Sequence, residues 1–202
     1  MTLTTRTATG QDVDHLSHVL ARAFREDPFH RWIFPSERAW TRSSHRSFAL
    51  ALEGEVENGT VFTDDGMQGA AIWRAPGLGA PSLWEKLRIA VPTIGLVGVR
   101  SPFVLCGFQR LMASHPREAH WYLNVLGTDP TYQNKGVGSA LMRVVLDRCD
   151  TDGSVAYLEA SRPENVPYYE SHGFEILGEL RMPKGPTVWR MLYSPPAVKR
   201  MT

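Results

Sequence analysis

The sequence predicts an α/β chain built on one mixed sheet. Short runs of alternating apolar residues take turns with segments whose apolar residues recur at helical spacing. An apolar run from Leu123 meets Gly127 and Pro130, then a loop bearing Gln133, Asn134, Lys135, Gly136 and Gly138. A helical pattern opens behind that loop at Ser139. The 202 residues, 43% of them hydrophobic, suffice for one domain with one large core. Residues 1–202 are therefore read as a single domain, with a helical insertion at about 76–116.

Leu3 to Ala8 alternates with threonines and suits a first strand. Asp12 or Asp14 caps the next segment, where Leu16, Val19, Leu20, Ala23 and Phe24 recur at helical spacing. That helix is expected to end near Asp27, because Pro28 disfavours helical geometry in the residue before it. Phe29 to Pro35 is a short aromatic link, and Ser36 opens a helix running to Asn58-Gly59. Val61 to Thr63 and Gly69 to Trp73 are strands joined by an Asp64-Asp65-Gly66 turn. Residues 76–116 read as two or three short helices with little polar patterning. They suit packing, a lid, a pocket wall or the face of a homodimer. His120 to Leu126, Val155 to Ala160, Phe174 to Leu180 and Thr187 to Tyr193 follow as strands, with a short helix between Pro163 and His172. The tail from Ser194 is expected to fray.

With 22 basic and 21 acidic residues, the net charge of +1 gives no footprint for nucleic acid or an anionic membrane surface. Met1 to Asp14 lacks a signal-peptide core. The longest apolar run, Ile89 to Val99, is too short and too broken to span a bilayer. A cytoplasmic protein is expected, with Cys106 and Cys149 as reduced and mostly buried thiols. The seven histidines show no metal-ligand spacing, so no metal is expected.

Strand, glycine-bearing loop and helix N-terminus together make a cradle for phosphate, because unpaired backbone N–H groups and the helix dipole converge there. No Gly-Lys-Ser/Thr follows the glycines, which excludes a P-loop. No Gly-x-Gly-x-x-Gly opens the helix, which excludes the dinucleotide fingerprint. The pattern Gln133-x-x-Gly136-x-Gly138 instead resembles the acetyl-CoA motif of the GNAT acetyltransferase superfamily. Glu159-Ala160-Ser161 and Asn165-x-x-Tyr168-Tyr169-x-x-x-Gly173-Phe174 stand downstream at that superfamily's spacing. Within it, the likeness runs to the puromycin N-acetyltransferase group. It rests on Trp121-Tyr122-Leu123, on the loop itself, on Asn165-x-Pro167-x-Tyr169-Glu170 and on Pro183-x-Gly185-Pro186-x-x-Trp189. One departure is Asn134, where relatives carry glycine; Asn tolerates positive φ best after Gly, so the loop shape should survive.

The resemblance implies a GNAT fold: a mixed, mostly antiparallel sheet flanked by helices and splayed at the acetyl-CoA site. It implies acetyl-CoA as cosubstrate, with Gln133, Asn134, Lys135, Gly136, Val137, Gly138 and Ser139 around the pyrophosphate. Leu126, Gly127, Thr128 and Asn165 would follow the pantetheine arm. It gives Tyr169 the role of general acid for the departing thiolate, and a phenol near pKa 10 can protonate a thiolate near 8.5. Tyr168 competes, but neighbours on a helix diverge by about 100°, so one of the two should face the cofactor. Glu159 would bind the substrate ammonium or take its proton through water, a solvated carboxylate being the plain alternative. Asp27, Phe29 and Trp32 fall where the acceptor pocket is expected, although two aromatics closing a helix corner fit equally. His120 reads as structural, with a base at the acceptor site as the alternative. The acceptor expected is a primary amine on a small molecule such as an antibiotic or aminonucleoside. A protein or peptide N-acetyltransferase and a silent acyl-CoA-binding regulator are the other readings.

Overall fold

The computed structural model describes residues 3–77 and 101–196. One seven-stranded sheet organises them. Its strands are β1 (Thr5–Thr7), β2 (Val61–Asp64), β3 (Gly69–Arg74), β4 (His120–Thr128), β5 (Val155–Ala160), β6 (Phe174–Arg181) and β7 (Thr187–Tyr193). Their order across the sheet is β1-β2-β3-β4-β5-β7-β6. Only β4 and β5 pair in parallel, and the other neighbours are antiparallel. This is the mixed, mostly antiparallel sheet that the motifs imply.

Helices α1 (Val13–Ala23), α2 (Pro28–Ile33), α3 (Glu37–Val56) and α4 (Ser101–Ala113) belong to one side. Leu16, Leu20, Trp32, Phe48, Leu52, Val104 and Leu111 form its core with Val61, Ile72 and Val125 of the sheet. Helix α5 (Val137–Asp152) covers the other face. Leu141, Met142, Val145 and Leu146 are buried there against Trp73, Trp121, Leu123, Ala156 and Leu158. Each such side chain contributes about 1.5–3 kcal/mol by leaving water. A sheet with two covered faces therefore needs both helix layers, and the apolar periodicity on either side supplies them. Helix α6 (Val166–Glu170) is short and packs next to β6.

Two expectations change. The first helix stops at Ala23, and Asp27 then opens α2, a helix where the sequence predicts only a short aromatic link. Asp-Pro works as a start as well as a stop: the Asp27 side chain accepts from His30 N, and Pro28 fills the first helical position. Cys106 is exposed, whereas Cys149 is buried as expected. Of the 76–116 helices, α4 is described; residues 78–100 and the tail from 197 lie outside the described residues. Among the described residues no helix is long and apolar enough to cross a membrane.

Candidate active site

The site begins with a break in the sheet. Ile72 pairs with Val125 and Trp73 with Leu123, so Asn124 is an extra residue on β4, a β-bulge. The bulge shifts the side-chain alternation by one. Before it, Trp121 and Leu123 face α5; after it, Val125 packs with the α1 side. The parallel pairing of β4 with β5 also ends there. The last matched pair is Leu123 with Leu158, although β4 continues to Thr128 and β5 to Ala160. The two strands splay, so no β5 residue is matched to Leu126, Gly127 or Thr128.

Gly127 is required by packing. A Cβ there would lie 2.7 Å from Leu20 Cδ2 and 2.8 Å from Phe24. Close approach of α1 thus positions the end of β4. Asp129 then folds the loop. Its side chain accepts from Thr131 N at 3.0 Å, Thr131 Oγ1 at 2.7 Å and Arg22 Nε at 2.7 Å. Burial pushes this carboxyl upward, but the Thr131 hydrogen bonds and Arg22 outweigh it and hold it below the usual range.

Beyond Asp129 the loop is exposed from Pro130 to Gly136. Gln133 Nε2 donates to Thr128 O at 3.2 Å, and Lys135 Nζ donates to Thr131 O at 3.0 Å. Asn134 has φ +60°, the left-handed conformation anticipated for it, and Gly136 follows at φ +84° as the N-cap of α5. No side chain caps that helix. The first N–H groups of a 16-residue helix thus face outward with the dipole behind them, which fits a diphosphate. Gly138 keeps the approach clear, since a Cβ would lie 3.0 Å from the Tyr168 hydroxyl and 3.6 Å from Thr128 Oγ1.

The two tyrosines diverge as helix geometry demands. Tyr168 shares a hydrogen bond of 3.3 Å with Ser139 Oγ, so its hydroxyl lies at the start of α5. Tyr169 sits near Asp27. Burial is the main reason its phenol is raised above the ordinary value, followed by Tyr168 and then by the negative charge of Asp27. A phenol held protonated in this way is suited to give a proton rather than to lose one early. Asn165 is exposed at the entry to α6.

Around Asp27, Phe29 and Trp32, expected at the acceptor pocket, the polar groups are engaged by the protein itself. Asp27 is 3% exposed. Its Oδ1 accepts from His30 N at 2.9 Å and meets His30 Nδ1 at 2.8 Å, while Ser161 Oγ donates to Oδ2. Burial pushes the Asp27 carboxyl upward, but His30 and Ser161 hold it below its ordinary value. Trp32 is buried, and its Nε1 donates to Pro183 O at 3.1 Å. Its ring fills the space beside Gly107 and Gly185, which ties α2 to α4 and to the β6–β7 turn. Phe29 is half-buried against Phe108 and Trp32, with ring centroids 5.8 Å and 5.7 Å away. Asp27 and Trp32 thus build the wall, and Phe29 is the member of the trio placed at its surface.

Glu159 departs from the solvated alternative: its side chain is only 6% exposed. It lies at the splay, 3.3 Å from His115 Nε2. Tyr122 and Tyr157, matched across β4 and β5, flank it. Burial first, then the charge of Glu159, raises both phenols above their ordinary range. Of this group, sequence reasoning singles out Glu159 and, as an alternative base, His120, and misses His115 and the role of Tyr122 and Tyr157. Alternation on β4 and β5 places His120 with Tyr122 and Tyr157 with Glu159, but joining the two pairs requires the register. His115 lies in an irregular link and carries no periodic signal. Among the described residues, no three His, Cys, Asp or Glu side chains gather as a metal set.

Comparison with known proteins adds three findings. Residues 93–174 match the model of the Acetyltransferase (GNAT) family. An N-alpha-acetyltransferase, RimI of Mycobacterium tuberculosis, is 36% identical over 96 residues. Those cover 45% of this chain and 58% of RimI, so the match spans little more than half of that relative. An uncharacterised N-acetyltransferase of Schizosaccharomyces pombe is 24% identical over 176 residues, covering 81% of this chain and 71% of that one. Among solved structures, a Corynebacterium glutamicum protein described as histone acetyltransferase HPA2 and related acetyltransferase superposes with TM-score 0.69. It is 22% identical and covers 96% of this chain and 97% of its own, which shows a shared fold.

Proposed function

We propose that this chain, a GNAT-fold N-acetyltransferase, moves acetyl from acetyl-CoA to the primary amine of a small molecule. The observation that carries this reading is the open N-terminus of α5, capped by Gly136 alone, directly behind the splay of β4 from β5. Backbone N–H groups from Asn134 to Ser139 hold the pyrophosphate, with Lys135 adding a positive charge. The free edge of β4 at Leu126, Gly127 and Thr128 receives the pantetheine arm, and Asn165 closes on it from α6. Binding remote from the reacting atoms fixes the thioester for attack.

The amine attacks the thioester carbonyl directly. Tyr169 protonates the departing thiolate, and Glu159 holds the ammonium and takes its proton. A carboxylate recessed beside Tyr122 and Tyr157 favours a compact ammonium over a wide peptide. An aminonucleoside or another amine-bearing antibiotic has that character, in keeping with the sequence likeness to the puromycin N-acetyltransferase group. One observation favours a second reading. RimI, 36% identical over 96 residues, is by its name an N-alpha-acetyltransferase, which points to protein N-termini.

An assay of CoA release over a panel of small amines and of N-terminal peptides separates the two. Turnover with at least one small amine is expected. Tyr169→Phe should lower kcat about 100-fold or more while acetyl-CoA still binds. Turnover confined to peptides would transfer the assignment to the second reading. Tight acetyl-CoA binding without turnover on any amine would leave only an acyl-CoA-binding regulator.

A further inference from the structure

Behind Glu159 the structure holds a chain of three close contacts that runs to the surface. Glu159 Oε1 stands 3.3 Å from His115 Nε2. His115 Nδ1 stands 3.3 Å from His120 Nε2. His120 Nδ1 stands 2.7 Å from the backbone oxygen of Glu118, in an exposed setting. The rings of His115 and His120 lie 5.4 Å apart. Each of the three contacts sets a nitrogen against an atom that also carries a lone pair, so each needs one proton between its ends.

Counting the protons is informative. The Glu118 carbonyl can only accept, so His120 Nδ1 carries a hydrogen. One more must lie between the two rings, and a third between His115 and Glu159. Two neutral imidazoles supply two. A chain with an ionised Glu159 and two neutral rings is thus one proton short, and the gap sets a lone pair against a carboxylate. His115 Nε2 and Glu159 Oε1 are both buried and, 3.3 Å apart, share no aligned hydrogen bond, while the Tyr122 phenol faces Glu159 as a hydrogen-bond partner. A proton arriving at Glu159 supplies the hydrogen that the chain lacks at its inner end.

From this geometry we infer that His115 and His120 form a proton-exit relay that drains Glu159 during amine acetylation. The inference rests on the assignment of Glu159 to the acceptor ammonium. An ammonium N–H bond breaks, and its proton passes across Glu159 to form the His115 Nε2–H bond, leaving a neutral amine free to attack. The His115 Nδ1–H bond then breaks as the His120 Nε2–H bond forms. His120, now protonated on both nitrogens, gives one proton to water, and exchange with solvent resets the tautomers. One proton enters and one leaves.

The surroundings suit such a path. Tyr122 of β4 and Tyr157 of β5 face His115 with ring centroids 4.5 Å and 4.8 Å away. Their raised phenols stay neutral and do not compete as bases. Arg190 of β7, matched with Glu159 across the sheet, is turned to Ser114 O at 3.3 Å. Glu118 lies beside the outer end, where it contributes its backbone oxygen. His115 and His120 act through Glu159 and are positioning residues rather than catalytic ones.

Two measurements test the relay, the first without any activity. Long-range proton–nitrogen spectra of the imidazole rings should show His120 with hydrogen on Nδ1 and, below neutral pH, both nitrogens of one ring of the pair protonated. In Glu159→Gln that second state should disappear or move to lower pH. Two neutral rings in wild type throughout the range from pH 5 to 8 would overturn the relay, whatever the enzyme acetylates. The second is kinetic. His120→Gln should lower kcat/KM about tenfold in dilute buffer at pH 7. Added imidazole should restore it, and the defect should fade at high pH, where amines arrive unprotonated. Tyr169→Phe should show no such rescue. Unchanged kcat/KM in both His120→Gln and His115→Gln, with unchanged melting, would also overturn it. Ring spectra as expected in a protein that turns over no amine would count against the acetyl-transfer reading alone.

Discussion

Gly136 and Asp27 both stand at helix N-caps, and they leave the helices behind them in opposite states. Gly136 has no side chain to offer, so the first N–H groups of α5 point outward unpaired. Asp27 closes α2 through His30 N and spends its remaining acceptor capacity on the His30 ring and Ser161. The donor side is therefore a surface of available hydrogen-bond donors, and the acceptor side is a wall whose polar atoms are already matched. On the proposed function, a ligand's phosphates would replace water at the first, and a substrate would meet packed aromatics and the recessed Glu159 at the second. One end has donors to offer, and the other has its polar atoms already matched.

The largest effect that breaks this contrast is expected from Gly138→Asp. It puts bulk against Tyr168 and a negative charge where the phosphates should lie. Calorimetric affinity for acetyl-CoA should fall at least 100-fold with little change in melting; retained affinity would remove the loop from the donor site. Asp27→Ala should do the reverse. Loss of the cap and of a buried, charge-assisted bond costs about 2–3 kcal/mol of stability, measured by urea unfolding. Turnover should fall as the wall and Tyr169 loosen, while acetyl-CoA affinity stays within about twofold. A weakened affinity of the size seen for Gly138→Asp would show that the two sides are not separable.

The smallest effect concerns pH. Arg6 holds Asp12 by two hydrogen bonds of 2.8 Å and 2.9 Å and keeps its carboxyl far below the usual range, with Thr9 assisting against burial. A depressed carboxyl stabilises the fold above its unfolded value of about 3.9 and loses that contribution as pH falls through the folded value. Asp12→Asn should flatten the acid limb of the stability profile below about pH 4 and leave turnover at pH 7 unchanged. An identical acid limb would mean that Arg6 contributes nothing measurable. Asp27 works with the same sign, so the Asp27→Ala profile should flatten there as well.

What was legible in the sequence follows the same division. The loop is local: Asn134 and Gly136 act through positive φ, Gly127 and Gly138 through the space they leave, all within a dozen residues, so spacing exposes it. The strands from Val155 to Ala160 and from Thr187 to Tyr193 were readable to the residue, because alternation and flanking turns agree there. The acceptor side is assembled from distant pieces. Asp27 meets Ser161 across 134 positions, and Trp32 meets Pro183 across 151. No local pattern records such partners. Pro28 misled for a simpler reason: one residue ends a helix and begins another, and the sequence shows only that geometry changes there.

The central claim is that the N-terminus of α5 receives the donor while the Asp27 wall does not. Amide spectra recorded during titration with acetyl-CoA test it directly. The resonances of Val137, Gly138 and Ser139 should move most, saturating together with those of Leu126 and Thr128, while the Asp27 to Trp32 amides shift little. Large shifts confined to Asp27 through Trp32, with the α5 amides unmoved, would contradict it.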